Sequence, residues 1–126
     1  MKTLGVIAQK GGTGKTTLSV HLAVQATLDG ARVLLLDMDP QASALAWWRR
    51  RQDRTPELIQ GRGDALPDLL EQARGQGFDL VIADTAPHSS ADSSACAQLS
   101  DQVIIPTRPA ILDLEAIGAT TEIVNR

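Results

Sequence analysis

A chain of 126 residues has the size of one domain, able to bury about two-thirds of its unfolded surface in a single core, which leaves no room for two independent domains. With 43% hydrophobic and 21% charged residues it is too apolar for a disordered segment and too evenly mixed for a membrane protein, and no apolar run approaches the ~20 residues that span a bilayer. Twelve Lys and Arg against fifteen Asp and Glu give a formal charge of −3, so any nucleic-acid contact has to be local, and the single cysteine, Cys96, excludes a disulfide framework or a paired-cysteine metal or redox motif.

Met1, Lys2 and Thr3 run directly into a continuous apolar stretch, residues 3–8, rather than into a secretion signal, which makes the cytoplasm the expected compartment. That stretch reads as a buried strand entering the glycine-rich loop 9–15. Leu18, Leu22 and Ala26, with Val24 and Leu28, recur at helical spacing over residues 16–29, and Gly30 is a suitable stop. Residues 32–37 form a second strand, apolar throughout as a parallel strand covered on both faces must be. A helix is expected over 42–51 and a short edge strand over 56–60. Leu66, Leu69, Leu70 and Ala73 share one face of a helix over 64–74, which Gly75, Gln76 and Gly77 end before a strand over 78–83. A loop rich in Ser and Asp leads to a helix over 91–99, a strand over 101–105 and an amphipathic helix over 112–124. No internal repeat, linker or low-complexity tract interrupts the series. Alternating strands and helices predict a doubly wound α/β fold with a mostly parallel sheet. Ligands in such folds bind at the carboxyl ends of the strands, so the loops after Ala8, Leu36 and Ala83 are expected to converge on one crevice.

The first of those loops suits phosphate. Gly11, Gly12, Thr13, Gly14, Lys15 and Thr16 satisfy G-x-x-x-x-G-K-[ST] when aligned on Gly14, Lys15 and Thr16, except that Gln9 stands at the first glycine. Glycines let backbone amides curl around phosphate oxygens, and the following helix turns its positive end towards them. Lys15 would neutralise the β- and γ-phosphates and the Thr16 hydroxyl would coordinate Mg²⁺. A bland glycine-rich turn is the alternative, disfavoured because lysine, hydroxyl, strand and helix occur together. The apolar run before Asp84 has the Walker B form, in which a strand delivers a carboxylate to Mg²⁺ through water.

The segment Lys10-Gly11-Gly12-Thr13-Gly14-Lys15-Thr16-Thr17 resembles the deviant Walker A motif of the ParA/MinD family of partition and positioning ATPases, closest to the small ParA-type members. The resemblance implies a SIMIBI-type P-loop fold and a nucleotide-sandwich homodimer in which Lys10 reaches the partner's phosphates, as an arginine finger would. It implies ATP and ADP with Mg²⁺ as ligands, Gly11 to Thr17 around the phosphates, and Thr16, Asp37 and Asp84 on the metal. Asp39, in Asp37-Met38-Asp39-Pro40-Gln41, would orient the attacking water, which makes Lys10, Lys15 and Asp39 the catalytic set; a plain Asp–Pro turn is the alternative. Asp84-Thr85-Ala86-Pro87 departs from the family segment, which often has proline where Ala86 stands. The loop 88–92 would sense the γ-phosphate, with His88 a solvated loop residue rather than a base. Residues 104–109, with Arg108 near the nucleotide or dimer surface, resemble the partition branch.

Arg49, Arg50, Arg51 and Arg54 cluster beside Trp47 and Trp48. They are candidates for nonspecific DNA contact, or equally for arginines that cover tryptophan rings. Cys96 reads as a small buried helix residue, a bridging iron–sulfur cluster lacking further ligands. Family members are considerably longer, so a C-terminally shortened single domain over 1–126 is expected, without the residues that recognise adenine. The implied function is an ATP-hydrolysing switch of plasmid or chromosome partition, stimulated by DNA and a ParB-type centromere-binding partner and associated with the nucleoid. The alternatives are a noncatalytic nucleotide-binding or subunit-interaction module, and a MinD-like positioning ATPase, disfavoured because no basic amphipathic membrane anchor is present.

Overall fold

The computed structural model describes residues 1–8, 14–87, 89–107 and 124. Among the described residues five strands are all parallel: β1 (Lys2–Val6), β2 (Val33–Asp37), β3 (Glu57–Gln60), β4 (Leu80–Asp84) and β5 (Gln102–Ile104), in the order β3-β2-β4-β1-β5. Between them run α1 (Lys15–Leu28), α2 (Ser43–Arg49), α3 (Leu66–Gly75) and α4 (Ser90–Leu99), with a 3-10 turn over Gly63–Ala65 before α3. The doubly wound α/β class expected from the sequence is the one observed.

Alternation along each strand divides the core in two. Leu34, Leu36, Val81 and Ala83 face Leu66, Leu70, Ala73, Phe78 and Cys96 on the side of α3 and α4. Val33, Leu35, Val6 and Ile82 face Val20, Ala23 and Ala44 on the side of α1 and α2. All five residues of β2 are buried, which is why its sequence lacks polar alternation until Asp37. β3 lies at the edge, as expected, and is half exposed.

Several boundaries differ from the sequence expectation, each for a tertiary reason. Phe78 and Asp79 stand before β4 rather than inside it. Phe78 is buried against α3 with the Arg32 guanidinium 4.1 Å from its ring centroid, and Asp79 accepts a hydrogen bond from the Arg32 amide at 2.8 Å. β1 ends at Val6, but Ile7 continues the ladder by donating to the Ile104 carbonyl at 3.0 Å. α4 starts at Ser90, because the Ser89 hydroxyl accepts from the Asp92 amide at 3.3 Å and caps it. Of the helix expected over 112–124 only Val124 is among the described residues, helical and packed on the α3 and α4 side of the core.

The register aligns the strand ends that matter. Val6, Asp84 and Asp37 are direct partners across β1, β4 and β2, so the three chains leave the sheet side by side. Backbone bonds hold this rim together: the Met38 amide donates to the Asp84 carbonyl at 2.9 Å, and the Gly61 amide to the Asp37 carbonyl at 3.0 Å. Thr85, absent from the roles expected of the sequence, is fully buried and donates its hydroxyl to the Val6 carbonyl at 2.9 Å. Its proximity to Asp84 was the signal available; the partner 79 positions away was not.

Candidate functional site: a phosphate and magnesium rim

α1 begins at Lys15. Gly14 precedes it with φ +84°, a left-handed conformation that a side chain would strain, and its carbonyl accepts from the Leu18 amide at 2.8 Å to start the helix. The amides of the first turn, Lys15, Thr16 and Thr17, then lack acceptors within the helix and project from its positive end. Lys10, Gly11, Gly12 and Thr13 lie outside the described residues, as do His88, Arg108 and Pro109.

Three of the expected site residues meet directly. The Lys15 ammonium, 7% exposed, forms an ion pair and hydrogen bond with one carboxylate oxygen of Asp84, which is itself fully buried. The Thr16 hydroxyl donates to the other oxygen at 2.9 Å. One carboxylate at the end of β4 is thereby joined to the first turn of α1, and the Ser19 hydroxyl fastens that turn by donating to the Lys15 carbonyl at 2.9 Å. Thr17 stands beside them on the exposed side of the helix.

The two carboxylates at the end of β2, Asp37 and Asp39, behave differently. Asp37 is fully buried, and its oxygens accept from the Asp39 amide at 3.1 Å and the Leu45 amide at 3.0 Å. Burial pushes its carboxyl above the usual range, the Leu45 and Asp39 amides oppose the rise, and the nearby charges of Asp84 and Asp39 add to it. Asp39 is buried and accepts from the Gln41 amide at 2.9 Å, the turn geometry common to Asp before Pro. Together with Met38 and Pro40 it lines a 620 Å³ cleft that Gly61, Arg62 and Asp92 also line.

The donor chemistry suits a hard divalent ion. A hydroxyl and one or two carboxylates at a rim, with no group of three or more His, Cys, Asp or Glu gathered as a cage among the described residues, match the way Mg²⁺ shares its shell between a few protein oxygens, water and phosphate. Thr16 and Asp84 are the side chains that would hold it, and when bound it would neutralise charge developing on phosphate oxygens.

Away from the rim, two of the four candidate DNA-contacting arginines are committed to tryptophan. Arg51 lies 4.8 Å from the Trp47 ring centroid and donates to the Thr55 carbonyl at 3.1 Å, and Arg54 lies 4.5 Å from that of Trp48 and donates to its carbonyl at 3.1 Å. The Trp48 indole in turn donates to the Pro56 carbonyl at 2.9 Å, so α2 is tied to the start of β3. Of the two readings left by the sequence, covering of the rings describes Arg51 and Arg54; Arg49 and Arg50 are exposed. Cys96 is fully buried in α4, as expected, with its thiol pushed up by burial. Among the described residues no helix is long and apolar enough to cross a membrane.

The chain is 42% identical to the maintenance of carboxysome distribution protein A of Gloeobacter kilaueensis, over 94% of this chain and 55% of that protein. It is 29% identical to the chromosome-partitioning ATPase Soj of Thermus thermophilus, over 94% and 59% respectively. The chain thus spans little more than half the length of these relatives. The crystal structure of cobyrinic acid a,c-diamide synthase from Mycobacterium smegmatis with a bound ATP analogue and magnesium shares the fold, with a TM-score of 0.82 at 23% identity, covering 99% of this chain and 67% of that one. Residues 4–125 match the CobQ/CobB/MinD/ParA nucleotide binding domain, and the chain belongs to that family.

Proposed function

We propose that this chain is the phosphate- and Mg²⁺-binding part of a ParA-type ATPase, a single domain over 1–126 that binds ATP, hydrolyses it to ADP and phosphate, and dimerises according to which nucleotide it holds. The observation that carries the proposal is the convergence of Lys15, Thr16 and Asp84 at the aligned ends of β1 and β4. A lysine buried beside a helix N-terminus is costly unless an anion answers it. Asp84 answers it within the protein, and a phosphate chain lying along the first turn of α1 would share that charge. Glycines 11, 12 and 14, with the amides of Lys15, Thr16 and Thr17, would cradle the phosphates. Asp39 would accept a hydrogen bond from the attacking water, while Lys15 and the partner's copy of Lys10 would balance the charge leaving with the γ-phosphate.

The names of the relatives support a role in distributing cargo. Partition of a plasmid or chromosome, with nonspecific DNA and a ParB-type partner protein, is the first reading, and the protein would then be cytoplasmic and associated with the nucleoid. The 42% identity to a carboxysome-distribution protein favours a second, in which the same switch positions a protein assembly. Both differ from a noncatalytic nucleotide-binding module in requiring turnover.

Nucleotide titration and phosphate release test the proposal. The chain is expected to bind ATP with Mg²⁺ and release phosphate slowly, and Lys15→Ala to weaken binding at least about a hundredfold, as loss of a charge-assisted contact of several kcal/mol requires. Unchanged binding by Lys15→Ala would refute the phosphate cradle, and binding without phosphate release would leave the noncatalytic module.

A further inference from the structure

α2 begins without a cap of its own. Its N-cap residue, Ala42, has no side-chain acceptor and adopts φ +56°, and yet the third amide of the helix, Leu45, is bonded. The acceptor is Asp37, eight positions earlier and on a different element. The same carboxylate uses its other oxygen on the Asp39 amide. These two bonds bracket the whole connection from β2 to α2. Within it the Ala42 amide donates to the Asp39 carbonyl and the Gln41 amide to the Asp39 carboxylate, each at 2.9 Å.

We propose that Asp37 is a positioning residue: one carboxylate oxygen aims Asp39 and the other caps α2, so a single buried side chain couples the hydrolytic loop to the helix that carries both tryptophans. This rests on the hydrolytic reading of Asp39 given above, whereas the cap does not. It also gives Asp37 a task that needs no metal contact, since its two oxygens accept from the Asp39 and Leu45 amides. A buried carboxylate here is unfavourable by itself; the two amides are what its position provides for.

The chain has two tryptophans, Trp47 and Trp48, both on α2, so intrinsic fluorescence reports on that helix alone. The first test needs no variant. Amides in the first turn of a helix lack intrahelical partners, so hydrogen exchange of the wild-type chain should show Leu45 and Asp39 protected at least about tenfold more than Ser43. Equal exchange at all three positions would overturn the cap.

The second test compares Asp37→Asn with Asp39→Asn, using ATP and Mg²⁺ as probes. Asn keeps one acceptor oxygen and replaces the other with a donor. Asp37→Asn should lower kcat on the order of tenfold or more while KM for ATP and the Mg²⁺ concentration for half activity stay within about threefold, because misaiming a group costs rate rather than ground-state binding. It should also speed exchange at Leu45 or Asp39 and change tryptophan emission. Asp39→Asn should lose kcat with α2 exchange and emission as in wild type. An Asp37→Asn protein whose activity returns at high Mg²⁺ would make Asp37 a metal-site residue and overturn the proposal, as would unchanged kcat. A wild-type chain that releases no phosphate would remove the hydrolytic reading and with it the aiming of Asp39, and the exchange measurement would still decide the cap.

Discussion

Asp37 illustrates how a functional rim is held at a cost. Its carboxyl is raised above the usual range chiefly by burial, so the folded protein favours the protonated form more than the unfolded chain does. The sign of the linkage follows: the stability this group contributes is full below its unfolded value near 3.8 and is lost as pH rises through the higher folded value. Urea midpoints of wild type and Asp37→Asn, in Mg²⁺-free buffer, should therefore differ most in favour of wild type at the acid end of the range in which both fold. The difference should shrink as pH rises towards neutrality. A difference independent of pH would mean that the amides of Leu45 and Asp39 cancel desolvation in the native state, and one that grows with pH that they outweigh it.

At the scale of elements, α4 and β1 are fitted to each other through Gly5. A Cβ there would stand 2.8 Å from both the Cys96 thiol and the Ser100 hydroxyl, closer than side-chain contacts allow. Neither neighbour can yield easily, since Cys96 is fully buried and the Ser100 hydroxyl donates to the Cys96 carbonyl at 2.6 Å. Gly5→Ala should lower the stability of the chain by about 1–3 kcal/mol in denaturant unfolding, the usual cost of overpacking. Adding Cys96→Ala should recover part of that loss. A double variant that simply sums the two single losses would show that the strain is not between these residues.

Gly5 also marks where the sequence stopped being legible. The strands could be read because their cause is local to each segment: β2 is apolar at Val33, Leu34, Leu35 and Leu36 because both its faces are covered. The phosphate loop could be read because glycines, Lys15 and Thr16 form a dense local pattern. What spacing could not supply were contacts made at long range. Nothing adjacent to Ala42 announces that α2 takes its cap from Asp37, so the expected helix began one residue early and ran two residues past Arg49. Asp64 and Ala65, the end of the 3-10 turn at Gly63–Ala65, were likewise merged into α3, whose apolar face starts only at Leu66. The arginine cluster was ambiguous because Arg51 and Arg54 could turn to solvent or to the rings, and only the folded geometry of 47–56 decides it.

For the whole molecule, the question is whether the rim reports the γ-phosphate to another chain. The aligned ends of β1, β4 and β2 place Asp84 and Asp37 side by side, and β1 reaches the same edge of the sheet shortly before Lys10 in the sequence. A second chain facing that edge would bring its own lysine to a cluster that already balances Lys15 against Asp84, and the added positive charge is favourable only if a triphosphate adds negative charge to meet it. Light scattering should therefore give the monomer mass with Mg²⁺ and ADP, and about twice that mass with a nonhydrolysable ATP analogue. Lys10→Ala should bind the analogue and remain at the monomer mass, which separates the cross-chain contact from the phosphate cradle. If instead Lys10→Ala doubles its mass as the wild type does, the second lysine is not what joins the chains. If the wild-type mass ignores the nucleotide altogether, the phosphate rim would bind without switching, and the noncatalytic module would account for the chain better than a dimerising ATPase.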